Sequence, residues 1–292
     1  MVRYATIFMD CAASVRPRYF FAWMVETMDT ATGVLKIKKF DPRKMVDHCV
    51  VLLVAKRRSG KSELVKDLMY YKRNMHAGIV MSATEAGNGF YSKWVPPCFV
   101  YNHFDKEALE RLVRRQKKLT KEGKAQACFV ILDDCAFDKK VMNDKIMREL
   151  LFNGRHYKIS LYILTQYATD LHPSLRSNLD FIIALKENMY REKLFKNFFS
   201  IFPNLSTFNA VADELTKNFG AIVLDNTAST SKLSDNVYWY RAKIDRKPWR
   251  LGTPEAWAFS KRRYRDEDED DGQLDPKKLS TPKTIVTVKR VG

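Results

Sequence analysis

Three short strings in this chain combine residue types suited to handling a polyphosphate. The first is Arg57-Arg58-Ser59-Gly60-Lys61-Ser62-Glu63. It follows a five-residue apolar run, Val50 to Val54, and precedes a pattern that sets Leu64, Val65, Leu68 and Met69 on one helical face. Strand, loop and helix in that order form a phosphate cradle. The loop's backbone N–H groups, from Arg57 through Glu63, and the positive end of the helix dipole point at phosphate oxygens. In such a loop Lys61 reaches the β- and γ-phosphates, and the Ser62 hydroxyl holds Mg²⁺. The pattern G-x-x-x-x-G-K-[ST] calls for a first glycine where this chain has Ala55, the smallest replacement.

The second string is the apolar run Ala127 to Leu132, which ends in Asp133-Asp134. A strand that delivers two carboxylates beside a phosphate loop is a Walker B strand. Asp133 is placed to hold Mg²⁺, and Asp134 to orient or deprotonate an attacking water. Many ATPases carry Glu at the second position, and Asp is one methylene shorter. The third string is Ile159 to Leu164, followed by Thr165-Gln166. At the tip of a strand next to Walker B, Gln166 would hydrogen-bond the γ-phosphate or the lytic water.

The elements that must position these residues alternate between β and α patterns. Gly78 to Ser82 reads as a strand leading into a polar loop whose Thr84 and Glu85 are candidates for the rim of the site. Asp105 to Lys121 reads as a helix with Asp105 at its N-cap. Its outer face is basic (Arg111, Arg114, Arg115, Lys117, Lys118, Lys121 and Lys124, against Glu122), either a solvated surface or one that meets DNA or a partner. Asp138 to Phe152 reads as one helix, with Gly154 near its C′ position. Asp180 to Leu185 and Ala221 to Leu224 read as further strands, and Asn188 to Phe199 and Leu205 to Phe219 as helices. Phe195, Phe198 and Phe199 read as core. Val34 to Phe40 and Asn236 to Ala242 read as edge strands.

A chain of 292 residues suits one α/β domain with additions. No apolar run approaches ~18–20 residues, which excludes a spanning helix, and the N-terminal stretch lacks a signal-peptide core. Five cysteines, none in a CxxC pair, fit a reducing compartment; Cys49, Cys98 and Cys128 sit among apolar residues, as core thiols do. A formal net charge of +17 favours polyanionic partners, nucleic acid first. Residues 1–33 read as an N-terminal extension, 34–252 as the P-loop ATPase domain, and 253–292 as a flexible charged tail with the acidic block Asp266 to Asp271.

Four blocks in order carry a resemblance: FDPRKMVDHCVVLLVAKRRSGKSELV, MSATEAGNGFYSKWVP, FVILDDC and LLFNGRHYKISLYILTQY. Over roughly residues 35–245 the chain resembles the DNA-packaging ATPases of nucleocytoplasmic large DNA viruses. These are poxvirus- and iridovirus-type relatives of the FtsK/HerA translocases. The resemblance implies an α/β fold of RecA-like ASCE P-loop type, with a mainly parallel central sheet flanked by helices and a strand between Walker A and Walker B. It implies ATP and Mg²⁺ as cofactors, a homo-oligomeric ring with ATP at subunit interfaces, and double-stranded DNA as the partner. Capsid or inner-membrane virion proteins are further implied partners, at assembly sites in the host cytoplasm and in the virion. By motif position Arg155 is the candidate arginine finger, reaching a neighbour's γ-phosphate, with Arg176 and Arg191 as nearby alternatives. A terminase-type packaging ATPase and a nucleic-acid-binding P-loop protein without motor activity are the competing readings. Fewer than fifty residues follow position 250, too few for the nuclease domain that terminases carry.

Overall fold

The computed structural model describes residues 4–7, 28–29, 34–135, 139–167 and 172–263. The strands are β1 (Tyr4–Ile7), β2 (Met28–Asp29), β3 (Val34–Lys39), β4 (Val50–Val54), β5 (Ala77–Ser82), β6 (Val100–Tyr101), β7 (Cys128–Asp133), β8 (Ile159–Thr165), β9 (Phe181–Ala184), β10 (Gly220–Asp225) and β11 (Val237–Arg241). The helices are α1 (Lys61–Tyr71), α2 (Glu85–Asn88), α3 (Lys106–Lys121), α4 (Lys139–Asn143), α5 (Lys145–Asn153), α6 (Pro173–Arg176), α7 (Arg191–Phe198), α8 (Leu205–Leu215), α9 (Leu233–Asn236) and α10 (Pro254–Arg263).

All the strands join one sheet in the order β1-β3-β11-β10-β9-β4-β8-β7-β5-β6, with β2 pairing β3. From β9 to β6 every pairing is parallel. Strand β10 turns antiparallel against both β9 and β11. In the centre of the sheet VVLLV, FVIL and LYIL are almost wholly apolar because both faces are covered. Alternate residues enter opposite cores. Leu52, Val54, Val130, Leu132, Leu161 and Ile163 pack with residues of α3, α5, α7 and α8. Val51, Leu53, Phe129, Ile131, Tyr162 and Leu164 pack with α1 and with Trp94 and Tyr240. The period of two along each strand therefore decides which helices it meets.

The expected strand between the phosphate loop and the two aspartates is β8, which pairs with β4 on one side and β7 on the other. Other expectations are corrected. Val34 to Phe40 is no edge, since β3 lies between β1 and β11, and β11 itself is interior between β10 and β3. Lys36 and Lys38, on alternate positions of β3, stay exposed while Leu35 and Ile37 between them are buried, which is how an interior strand resembles an edge. The helix expected over Asp138 to Phe152 is two, because Asp144 leaves helical geometry and its carboxylate caps Ile146 N–H at 3.0 Å. Gly154 is right-handed (φ −51°), and the left-handed residue that turns the chain into β8 is Lys158 (φ 58°). The helix expected over Leu205 to Phe219 stops at Leu215, where the Thr216 hydroxyl donates back to Ala212 O at 2.7 Å.

Within the stretch expected as tail, residues 254–263 form a helix. Helix α10 docks on the domain: Ser260 Oγ accepts from Cys98 N–H at 3.1 Å, Phe259 stacks on Phe99 with centroids 6.2 Å apart, and Trp257 Nε1 donates to Leu251 O at 2.9 Å. This contact leaves Cys98 half-buried, whereas Cys49 and Cys128 are core residues as expected. Phe198 and Phe199 are buried and Phe195 packs against them, as the pattern indicated. The aromatic stretch from Tyr19, the turn ahead of Val34 and the acidic block after Arg265 lie outside the described residues.

Candidate functional site: a phosphate loop facing two aspartates

The loop from Ala55 to Gly60 leaves the carboxyl end of β4 and opens directly into α1. Ala55 is buried and its N–H donates to Thr165 O at 3.0 Å, tying the start of the loop to β8. It has no left-handed φ, so a methyl is tolerated where the motif calls for glycine. The left-handed residues are Arg58 (φ 60°) and Gly60 (φ 90°). Gly60 is favoured by its φ, which strains any other side chain, and a Cβ there would press at 3.3 Å on the ring of Phe219. Ser59 braces the loop from within, its hydroxyl donating to Lys56 O at 2.6 Å. Arg57 and Arg58 are exposed, and Glu63, half-buried in the first turn of α1, lies 3.9 Å from Lys66.

Lys61 and Ser62, the first residues of α1, meet the end of β7. The Lys61 ammonium is buried and forms an ion pair with Asp134 Oδ1, and it stands 3.5 Å from Asp133 Oδ1. Ser62 Oγ donates to Asp133 Oδ2 at 3.1 Å. Asp134 reaches Lys61 because its backbone is left-handed (φ 53°), a region that Asp enters more readily than most side chains. The loop and the acidic pair, more than seventy residues apart in sequence, therefore form one constellation.

Asp133 is almost fully buried, and burial raises its pKa above the ordinary value; the Lys61 charge and the Tyr91 hydrogen bond counter this without cancelling it. Tyr91, wholly buried, donates its hydroxyl to Asp133 Oδ2 at 2.7 Å. Tyr91 lies within the block MSATEAGNGFYSKWVP, where no local pattern marks it for a role. Glu85, expected at the rim, accepts the N–H groups of Tyr91 and Ser92 at 2.9 Å each and so fixes the loop that delivers Tyr91. Thr84 meets Ser82 Oγ at 3.2 Å. Asp133 Oδ1 is buried and takes no hydrogen bond, an acceptor left open next to the Ser62 hydroxyl. That open acceptor, with an alcohol and a second carboxylate at hand, is a donor set that fits Mg²⁺.

Gln166 follows the end of β8, half-buried between the phosphate-loop strand and the Asp133 strand. Arg155 is not part of this constellation. It precedes β8, at the opposite edge of the sheet and roughly 20 Å away at ~3.3 Å per strand residue. There its charge acts on Asp180, which accepts Val50 N–H at the beginning of β4. Arg155 is exposed, whereas Arg191 is held by Glu187 O and Asp213 at 2.6 Å each, and Arg176 lies over the ring of Phe198.

Parallel order, an intervening strand, and a loop lysine beside two strand-end aspartates define a P-loop NTPase fold of the RecA-like ASCE type. Residues 37–210, more than half of the chain, match the family described as Poxvirus A32 protein, and the protein belongs to that family. Protein L437 of Acanthamoeba polyphaga mimivirus is 32% identical over 244 residues, covering 80% of this chain and 85% of its own. Protein 015R of Frog virus 3 (isolate Goorha) is 37% identical over 197 residues, covering 66% of this chain; the match spans 61% of the length of 015R. Among solved structures, the genome packaging NTPase B204 of Sulfolobus turreted icosahedral virus 2, in complex with sulfate, superposes with a TM-score of 0.50 at 18% identity. That match covers 69% of this chain and all of B204, and it establishes a shared fold.

Proposed function

We propose that this protein is an ATP-hydrolysing motor that drives viral double-stranded DNA into a capsid during virion assembly. The observation that carries the reading is the buried Lys61 ammonium set between Asp133 and Asp134 at the mouth of a phosphate loop. Membership of the Poxvirus A32 protein family supports it, as does the fold shared with a protein described as a genome packaging NTPase.

The residues divide the chemistry among themselves. Amides from Arg57 to Glu63 bind the phosphates, and Ser62 and Asp133 would hold Mg²⁺. The metal supplies neutralisation of charge on the β- and γ-phosphate oxygens. Phosphate oxygens draw the Lys61 ammonium away from Asp134. The Asp134 carboxylate, released from its counter-ion, then accepts the proton of the attacking water. Gln166 orients that water. Arg155, too far from its own site, reaches the site of a neighbouring subunit in a ring. The exposed basic side chains of α3 supply charge for DNA: Arg111 and Lys117 are engaged with acidic neighbours, and Arg114, Lys118 and Lys121 stand exposed. The places of action are the assembly site in the host cytoplasm and the virion, with capsid or inner-membrane proteins as docking partners.

ATP turnover with and without duplex DNA tests the reading. The expected result is Mg²⁺-dependent hydrolysis that duplex DNA stimulates, with stimulation fading steeply as salt rises, and no turnover in Lys61→Ala. Wild-type activity in Lys61→Ala, or no hydrolysis by the wild type in the presence of DNA, would overturn it.

A further inference from the structure

On the side of the loop away from the aspartates lies an aromatic ring that the phosphate chemistry does not use. Phe219 is 67% exposed. It ends the turn Lys217–Phe219 between α8 and β10, where Asn218 (φ 50°) and Phe219 (φ 61°) are both left-handed. Two consecutive non-glycine residues in that region are strained, and an exposed ring recovers little of that strain by burial. Gly220 pins the turn from behind, since a Cβ there would fall 2.0 Å from Leu215 O. The ring lies against the phosphate loop: a Cβ on Gly60 would come 3.3 Å from Phe219 Cδ1 and 3.9 Å from Leu185 Cδ2.

Topology gives the ring its meaning. Strand β10 is antiparallel to β9, so it begins at the edge where β4 and β9 end, and the turn before it stands beside the phosphate loop. Across the sheet the order is β10-β9-β4-β8-β7, with Asp133 and Asp134 at the far side on β7. A triphosphate whose last phosphate meets Lys61 and Asp134 must lead its nucleoside the other way, towards β9 and β10. There stands the exposed ring of Phe219, beside Gly60, with Leu185 also within reach of Gly60.

We infer that Phe219 is the platform on which the base of the bound nucleoside triphosphate stacks. This rests on the nucleotide-binding reading above. Stacking needs only the π-face of a base, so the platform sets affinity for ATP and GTP alike and leaves the phosphate contacts untouched.

The test compares two probes on the full chain, Mg·ATP and magnesium tripolyphosphate, which has the phosphates and no base. Phe219→Ala is expected to raise Kd for Mg·ATP by roughly 5- to 150-fold, the factor equivalent to ~1–3 kcal/mol for one stacked base, with tripolyphosphate affinity unchanged. Phe219→Leu keeps an apolar contact on Gly60 without a π-face and is expected to behave like Phe219→Ala. Phe219→Trp is expected to retain ATP affinity and to show fluorescence quenched by ATP and not by tripolyphosphate. Unchanged ATP affinity in Phe219→Ala, recovery in Phe219→Leu, or equal weakening of both probes overturns the platform. A wild-type chain that binds tripolyphosphate and not ATP also overturns it. A wild-type chain that binds neither probe overturns the nucleotide reading, and the platform with it.

Discussion

Burial keeps the Asp133 carboxyl above the ordinary carboxylate range, even with the Lys61 ammonium and the Tyr91 hydroxyl beside it. A carboxyl whose pKa is higher in the folded chain than in the unfolded one binds its proton more tightly when folded. Its contribution to stability is full below the unfolded pKa and is lost as pH rises through the folded pKa. At neutral pH ionised Asp133 is therefore a net cost to the fold, a cost that the proposed metal-binding role would explain. Asp133→Asn is expected to abolish Mg²⁺-dependent turnover and to unfold at a higher temperature than wild type at pH 7. The gap should close as pH falls below about 4, where the unfolded carboxyl is itself protonated. Thermal melts across pH check this, and a variant less stable than wild type at pH 7 would refute it. At this scale the sequence was readable for Lys61, Ser62, Asp133 and Asp134, because each stands at a strand end or helix start that local pattern marks. Tyr91 was not readable. Its contact with Asp133 spans 42 residues and depends on the Glu85 carboxylate holding an irregular loop.

Helix α1 carries the site on one end and is anchored along its side by Asp67. That buried carboxylate accepts from Tyr240 OH, Lys243 N–H and Arg246 Nε, joining the phosphate-loop helix to the strand and segment that follow β10. The Arg246 guanidinium also lies 3.8 Å from the centroid of the Tyr70 ring. Replacing Asp67 by Ala leaves Arg246 without its counter-ion and Tyr240 without an acceptor. The expected loss is about 3–5 kcal/mol, read as a lower denaturant midpoint with little change in slope. A loss under about 1 kcal/mol would show that the segment after β11 does not brace α1. Periodicity found most elements and erred at their ends. Thr216 closes one helix and Asp144 opens another through side-chain bonds to the backbone that apolar spacing does not encode. Residues 254–263 looked like tail because their charge pattern hides Phe259 and Ser260, which find partners 160 residues away.

In the whole molecule the phosphate loop and Arg155 occupy opposite edges of one sheet. In the ring proposed above, a neighbouring subunit would present its Arg155 to this site. Mixing Lys61→Ala and Arg155→Ala subunits, each inactive alone, is expected to restore part of the DNA-stimulated turnover. In a mixed ring an intact Lys61 can then face an intact Arg155. No recovery at any mixing ratio, in rings shown to contain both variants, would remove Arg155 from the role. Fold class, the phosphate-loop pattern and its acidic partners were set by the sequence alone, because unbroken apolar runs ending in chemically loaded tips have few ways to pack. The tertiary structure decided what depended on distant pairing: the interior positions of β3 and β11, the hydroxyl of Tyr91 on Asp133, and the ring of Phe219 on Gly60. Each is a contact between segments whose own residues state no preference for one another, so only the closing of the sheet brings them together.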